Sequence, residues 1–252
     1  MALAHQESAE TSMISSIDFE DIATWPAGLK AALDKDVTCR GLEEADGILS
    51  QAKLLGFHCT RLLPYEAAEI MTVGLRQPSP IFLEQRINKA RDAGYLTADI
   101  CARLLASNQA SDANRVGEIR FVTKKSLLRV ENQVRRFFES WGGEALYNSH
   151  EDDPITGPQL RSIGMPHIVM ANLPLTKVSQ FQYGLARDFA NKLENDSTRG
   201  EAGKSELSHV GVRSPVPPEW GIKLVSFQNP TFESLTNCHM GRWNLCAGHG
   251  LG

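Results

Sequence analysis

The apolar positions of the chain fall into two alternating rhythms, and each change of rhythm marks the edge of an element. Between residues 42 and 55, Leu42, Ala45, Ile48, Leu49, Ala52, Leu54 and Leu55 recur mostly at steps of three and four, which predicts a helix. From Phe57 the pattern becomes a strict alternation. His58, Thr60 and Leu62 then lie on one face of a strand and Phe57, Cys59 and Arg61 on the other, because successive side chains of a strand point to opposite sides. Pro64 follows as a helix entrance, where its missing N–H is no loss, and Gly74 as the exit, where a left-handed residue carries no Cβ clash.

The same reading predicts the remaining elements. Pro26 opens a short helix through Leu29, Ala32 and Leu33, and Gln77-Pro78-Ser79-Pro80 is a turn that the preceding helix cannot cross. A helix from Ile81 to Ala90 breaks near Gly94, and a second is capped by Thr97. Residues 117–123 alternate as a strand. Leu127, Val130, Val134, Phe137 and Trp141 then predict a helix capped by Ser126, reaching about Ser140 and ended by Gly142-Gly143. The near-continuous apolar run 166–175 reads as a strand central in the sheet, followed by a helix from Val178 to Lys192. The polar run 191–208 reads as a loop, and 207–213 and 222–227 as strands joined by a proline-rich connection. One α+β domain over 17–236 is expected, between a loose polar tail (1–16) and a C-terminal tail (237–252).

Composition narrows the class. In 252 residues, 42% hydrophobic and 22% charged content is that of an ordinary globular protein, and a formal net charge of −4 gives no general attraction to nucleic acid, although a local basic patch remains open. Five cysteines without regular spacing fit a reducing compartment. No 18-residue apolar run and no basic-then-apolar N-terminus is present, so the expectation is a cytoplasmic protein without a membrane span, with signal-independent secretion as the other route. The acidic run 151–153 reads as a solvated turn, and Cys238-His239 lies too close to Cys246 and His249 for a zinc knuckle, so no metal is expected.

Candidate chemistry concentrates in two stretches. The strand at 57–62 sets an imidazole and a hydroxyl side by side, and Gly142-Gly143 is followed at once by Glu144, Tyr147 and His150. His58-x-Thr60, with a helix ending in Gly74-Leu75, resembles the opening motif of the ADP-ribosyltransferase-like superfamily. Gly117-x-Ile119-x-Phe121-x-Thr123 resembles its second motif, with Phe121 where many members have Tyr. The segments Thr60-Arg61-Leu62-Leu63-Pro64 and Trp141-Gly142-Gly143-Glu144-Ala145-Leu146-Tyr147 together resemble a family of uncharacterised bacterial proteins.

The superfamily resemblance implies a split mixed or antiparallel sheet with helical insertions, and NAD as a substrate cleaved at its nicotinamide–ribose bond. ADP-ribose would then pass to an unknown macromolecular acceptor, or to water as in an NAD glycohydrolase. On that reading His58 and Thr60 hold ribose, Arg61 a phosphate if the strand twists, and Phe121 and Thr123 line the nicotinamide pocket. Glu144 or Glu206 supplies the carboxylate and Tyr147 a wall, while His209 stands where the family often has a catalytic Glu. Two other readings stand beside it: a binding module of the same fold without turnover, and an RNase-like toxin using His58, His150 and His209.

Overall fold

The computed structural model describes residues 16–35, 39–129, 131–179, 184–197 and 208–238. Glu206, His239, Cys246 and His249 lie outside them. In chain order the elements are α1 (Leu29–Lys35), α2 (Cys39–Leu49), β1 (Lys53–Leu62), α3 (Pro64–Val73), α4 (Pro80–Asp92), α5 (Ala98–Ala106), β2 (Ile119–Val122), α6 (Lys125–Leu128), α7 (Glu131–Glu139), α8 (Glu144–His150), α9 (Thr156–Ser162), β3 (Met165–Pro174), β4 (Val178–Ser179), α10 (Leu185–Ser197), β5 (His209–Val212), β6 (Lys223–Ser226) and α11 (Pro230–Thr236).

The strands form one sheet in the order β4-β5-β2-β1-β3-β6, and every neighbouring pair is antiparallel. Its joints are unequal. β1 and β3 pair along their whole length, from Lys53 with Pro174 to Leu62 with Met165, and β2 pairs β5 throughout. β1 and β2 meet at a single register pair, Phe57 with Val122. Beyond it no register pair joins residues 58–62 of β1 to 119–121 of β2, and this unpaired stretch forms a wedge in the ladder.

Alternation along β1 serves two cores. Leu54 and Leu62 join Phe121, Val169 and Phe189 beneath α1, α2 and α10, whereas Phe57 and Cys59 pack with Ile168, Phe138 and Phe232 beneath α7 and α11. A third cluster (Leu83, Ile87, Leu104, Trp141, Leu146, Leu160) holds α4, α5, α8 and α9 together as a helical annex beside the end of β1. Ile17 is fully buried and bridges Leu54.

Three expectations are corrected. β1 starts at Lys53, taking residues whose spacing read as helical. Residues 126–140 form two helices, with Lys124 rather than Ser126 at the first N-cap; the single turn α6 is tied down by the Lys125–Asp18 ion pair and by Ser126 N donating to Glu20 (3.0 Å). Val178–Ser179 pairs with β5 as an edge strand too short to leave a sequence period, and the helix after it runs to Ser197. Cys238, at the end of the described residues, is buried against the second core.

Candidate active site

The wedge between β1 and β2 opens into a cavity of about 790 Å³, within the size range of small-molecule and cofactor sites. Its floor is strand. His58 and Thr60 come from β1, Ile119, Arg120 and Phe121 from β2, and His209 from the start of β5. One wall comes from α3 and α4, the other from α7 and the Gly142-Gly143 turn with α8.

His58 occupies the place where the β1–β2 ladder stops. Its Nδ1 lies 2.9 Å from the Arg120 carbonyl, so the imidazole replaces a lost ladder contact. A carbonyl only accepts, which fixes the proton on Nδ1. Burial pushes the His58 pKa down, the Arg86 charge adds to this, and the Arg120 hydrogen bond only partly opposes it. The ring is therefore neutral and its Nε2 carries a free lone pair. Phe121 stands behind it, ring centroids 5.8 Å apart, with its own ring fully buried in the first core.

Glu144 opens α8, where the positive helix end favours a carboxylate. Gly143 at its N-cap has φ of 67°, and Gly142 before it has φ of 96°, with Leu146 occupying the space where a Cβ would lie. The turn thus requires glycine twice. Arg115 Nε reaches Glu144 at 3.3 Å, and the Tyr147 hydroxyl donates to the same carboxylate. Burial first, then the Glu144 charge, holds the Tyr147 phenol far above its ordinary range, so it is a neutral donor. Its ring lies under the Arg136 guanidinium at 4.4 Å.

The turn is anchored by a buried group at the β1–α3 junction. Glu66 accepts from the Leu63 N–H (2.7 Å), the Trp141 indole (2.9 Å) and Arg86, whose guanidinium also stacks on the Trp141 ring at 4.7 Å. Burial alone would raise the Glu66 pKa, but the Arg86 charge and these hydrogen bonds outweigh it and hold the carboxyl below its usual range. Trp141 hangs on this group, and the Gly-Gly turn follows directly.

Of the residues read from sequence, His58, Thr60, Phe121, Glu144, Tyr147 and His209 all line this one cavity. Arg61 and Thr123 do not. Arg61 points to the other face of β1, is buried, and donates to the Ile163 carbonyl (2.7 Å) and the Phe138 carbonyl (3.0 Å), a structural clamp rather than a phosphate ligand. Thr123 is fully buried, its backbone N–H bonded to Ser208 O at 3.1 Å. His150 is also a packing residue, with Nδ1 on Thr156 (2.9 Å) and Nε2 on the Ser107 carbonyl (2.5 Å).

Sequence reasoning missed Glu118. Its carboxylate lies across Gly211 of β5, 2.5 Å from where a Cβ would stand, and pairs with Arg213 at 3.0 Å and Arg120 at 3.4 Å. A carboxylate therefore does sit against β5, but it is supplied by the residue before β2. It also missed the cavity's cations, Arg76, Arg86, Lys89, Arg115, Arg120 and Arg136, set against Glu66, Glu69, Glu118 and Glu144. The lining is net basic, whereas the chain carries 26 Lys and Arg against 30 Asp and Glu.

Tyr65, on the α3 wall, has a buried hydroxyl with no hydrogen-bond partner among the described residues. An unpaired buried hydroxyl is destabilising, so Tyr65→Phe is expected to leave the melting midpoint unchanged or to raise stability by about 1 kcal/mol. A loss above that size in urea unfolding would show that the hydroxyl has a partner.

Among the described residues no helix is long and apolar enough to cross a membrane. Comparison with protein-family models, with curated proteins and with solved structures gave no match.

Proposed function

We propose that this chain binds NAD in the wedge between β1 and β2 and cleaves its nicotinamide–ribose bond. The supporting observation is that six side chains chosen from distant stretches of sequence line a single cavity beside the joint where β1 and β2 share one register pair. The single register pair between β2 and β1, against more in every other joint of the sheet, is the feature that would correspond to the split sheet of the resemblance.

In this reading the His58 Nε2 lone pair accepts a hydrogen bond from a ribose hydroxyl and Thr60 flanks it, while Phe121, fully buried, backs the His58 ring from the core instead of meeting the nicotinamide. As the C1′–N bond breaks, its electron pair leaves with nicotinamide and positive charge grows on the ribose. Glu144 is the carboxylate for that charge, being 35% exposed where Glu118 is 4% exposed and held by two arginines. The incoming nucleophile, water or a macromolecular acceptor, bonds to C1′ and gives its proton to Glu144. The test is release of free nicotinamide from NAD by the full chain, expected to fall to background in Glu144→Gln.

A second reading, binding without turnover, draws on a specific feature: each glutamate lining the cavity is engaged by a cation, Glu66 by Arg86, Glu69 by Arg76 and Lys89, Glu118 by Arg120 and Arg213, and Glu144 by Arg115. NAD-dependent thermal stabilisation without nicotinamide release would favour it. The RNase-like reading loses one of its three histidines, since His150 is turned into the packing of α8 and α9.

A further inference from the structure

The wall made by α3 and α4 is a polar stripe of regular construction. Phe82, Gln85, Arg86 and Lys89 recur at three- and four-residue steps along α4 and line the cavity, while Ile87 and Ala90 on its other side fill the annex core and Leu83 touches both. Facing them, Tyr65, Glu66 and Glu69 come from α3. Arg76 and Lys89 converge here on one carboxylate, that of Glu69, with Lys89 Nζ at 2.9 Å. Each cation also rests on an aromatic face, Arg76 on Phe82 at 5.0 Å and Lys89 on Tyr65 at 4.7 Å.

Among the described residues, two cations sharing one carboxylate leave one positive charge uncompensated, and most of their N–H donors have no acceptor. Their side chains are held by rings rather than free in solvent, yet stay 44% and 53% exposed. Arg61, which the sequence offered for a phosphate, is committed elsewhere. We propose that the Arg76–Glu69–Lys89 cluster is a diphosphate subsite, taken by the diphosphate of a nucleoside diphosphate or dinucleotide; this rests on the dinucleotide reading of the cavity. An anion with several oxygens accepts from both cations at once, displacing Glu69 from part of its pairing.

The sign of three neutralising variants tests this. Full-length protein is titrated calorimetrically with ADP, AMP, adenosine, inorganic pyrophosphate and NAD. ADP is expected to bind more tightly than AMP and at least about tenfold more tightly than adenosine, and Arg76→Gln and Lys89→Gln are each expected to weaken ADP about tenfold. Glu69→Gln is expected to tighten it, because the competing carboxylate charge is gone, and general damage to the fold would not produce that inversion. The subsite is overturned if adenosine binds as well as ADP, if either cation variant leaves ADP affinity unchanged, or if neither ADP nor pyrophosphate binds. NAD cleavage that persists while ADP ignores all three variants rejects the subsite alone. The three-variant pattern with ADP in a protein that releases no nicotinamide supports the subsite and rejects only the chemistry.

Discussion

Glu66→Ala is expected to destabilise the fold by about 3–5 kcal/mol, the range for breaking a buried ion pair by removing one partner. The Glu66 and Arg86 side chains are only 9% and 15% exposed, so the truncation leaves a largely desolvated guanidinium, together with the Trp141 indole and the Leu63 amide, without their acceptor. Glu66→Gln keeps an acceptor oxygen and should lose less. Urea unfolding of both variants checks the order, and a loss below about 1 kcal/mol for the alanine would put the pair with weak surface bridges instead. The acid dependence has a definite sign. Because the folded-state Glu66 pKa lies below its ordinary value of 4.5, its stabilisation is fully present above that value and is lost as pH falls through the lowered one. Glu66→Gln should flatten that part of the acid-unfolding curve.

His58→Ala is expected to lower nicotinamide release by about a hundredfold or more, the cost of misplacing a substrate whose geometry sets the barrier. Truncation removes the prop under the Arg120 carbonyl and, on the proposed reading, the acceptor for a ribose hydroxyl with it. His58→Gln, whose amide can donate to that carbonyl while its oxygen accepts, should recover part of the loss; recovery to no better than alanine would contradict the assigned tautomer. Since the folded His58 pKa is depressed below 6.5, the neutral ring persists past that pH. Release should therefore hold as pH falls to 6.5 and decline only below it.

Local chemistry carried the sequence reading where it succeeded. β1 from Phe57 onward, the Pro64 entrance and Gly74 exit of α3, the Thr97 cap of α5, and the strands β2, β3, β5 and β6 all follow from alternation, proline and glycine, because each depends on neighbours in sequence. Tertiary contacts decided the rest. β4 exists only because β5 lies beside it, and the split of 125–139 into α6 and α7 accompanies ties from α6 to residues more than 100 positions away. In the site, His58 was legible from its strand face and Glu144 from the glycines before it. Arg61 failed as a ligand because strand parity turns it into the core, as the alternation itself requires. Glu118 was illegible because its approach to Gly211 is a cross-strand contact between residues 93 positions apart, and single-sequence periodicity holds no trace of such a pair.

A crystal of the full chain soaked with NAD tests the central claim most directly. The account predicts density for the coenzyme in the opening between β1 and β2, with a ribose hydroxyl within hydrogen-bonding distance of His58 Nε2. Bound NAD elsewhere on the molecule, or an empty wedge at a coenzyme concentration that saturates other NAD sites, would contradict it.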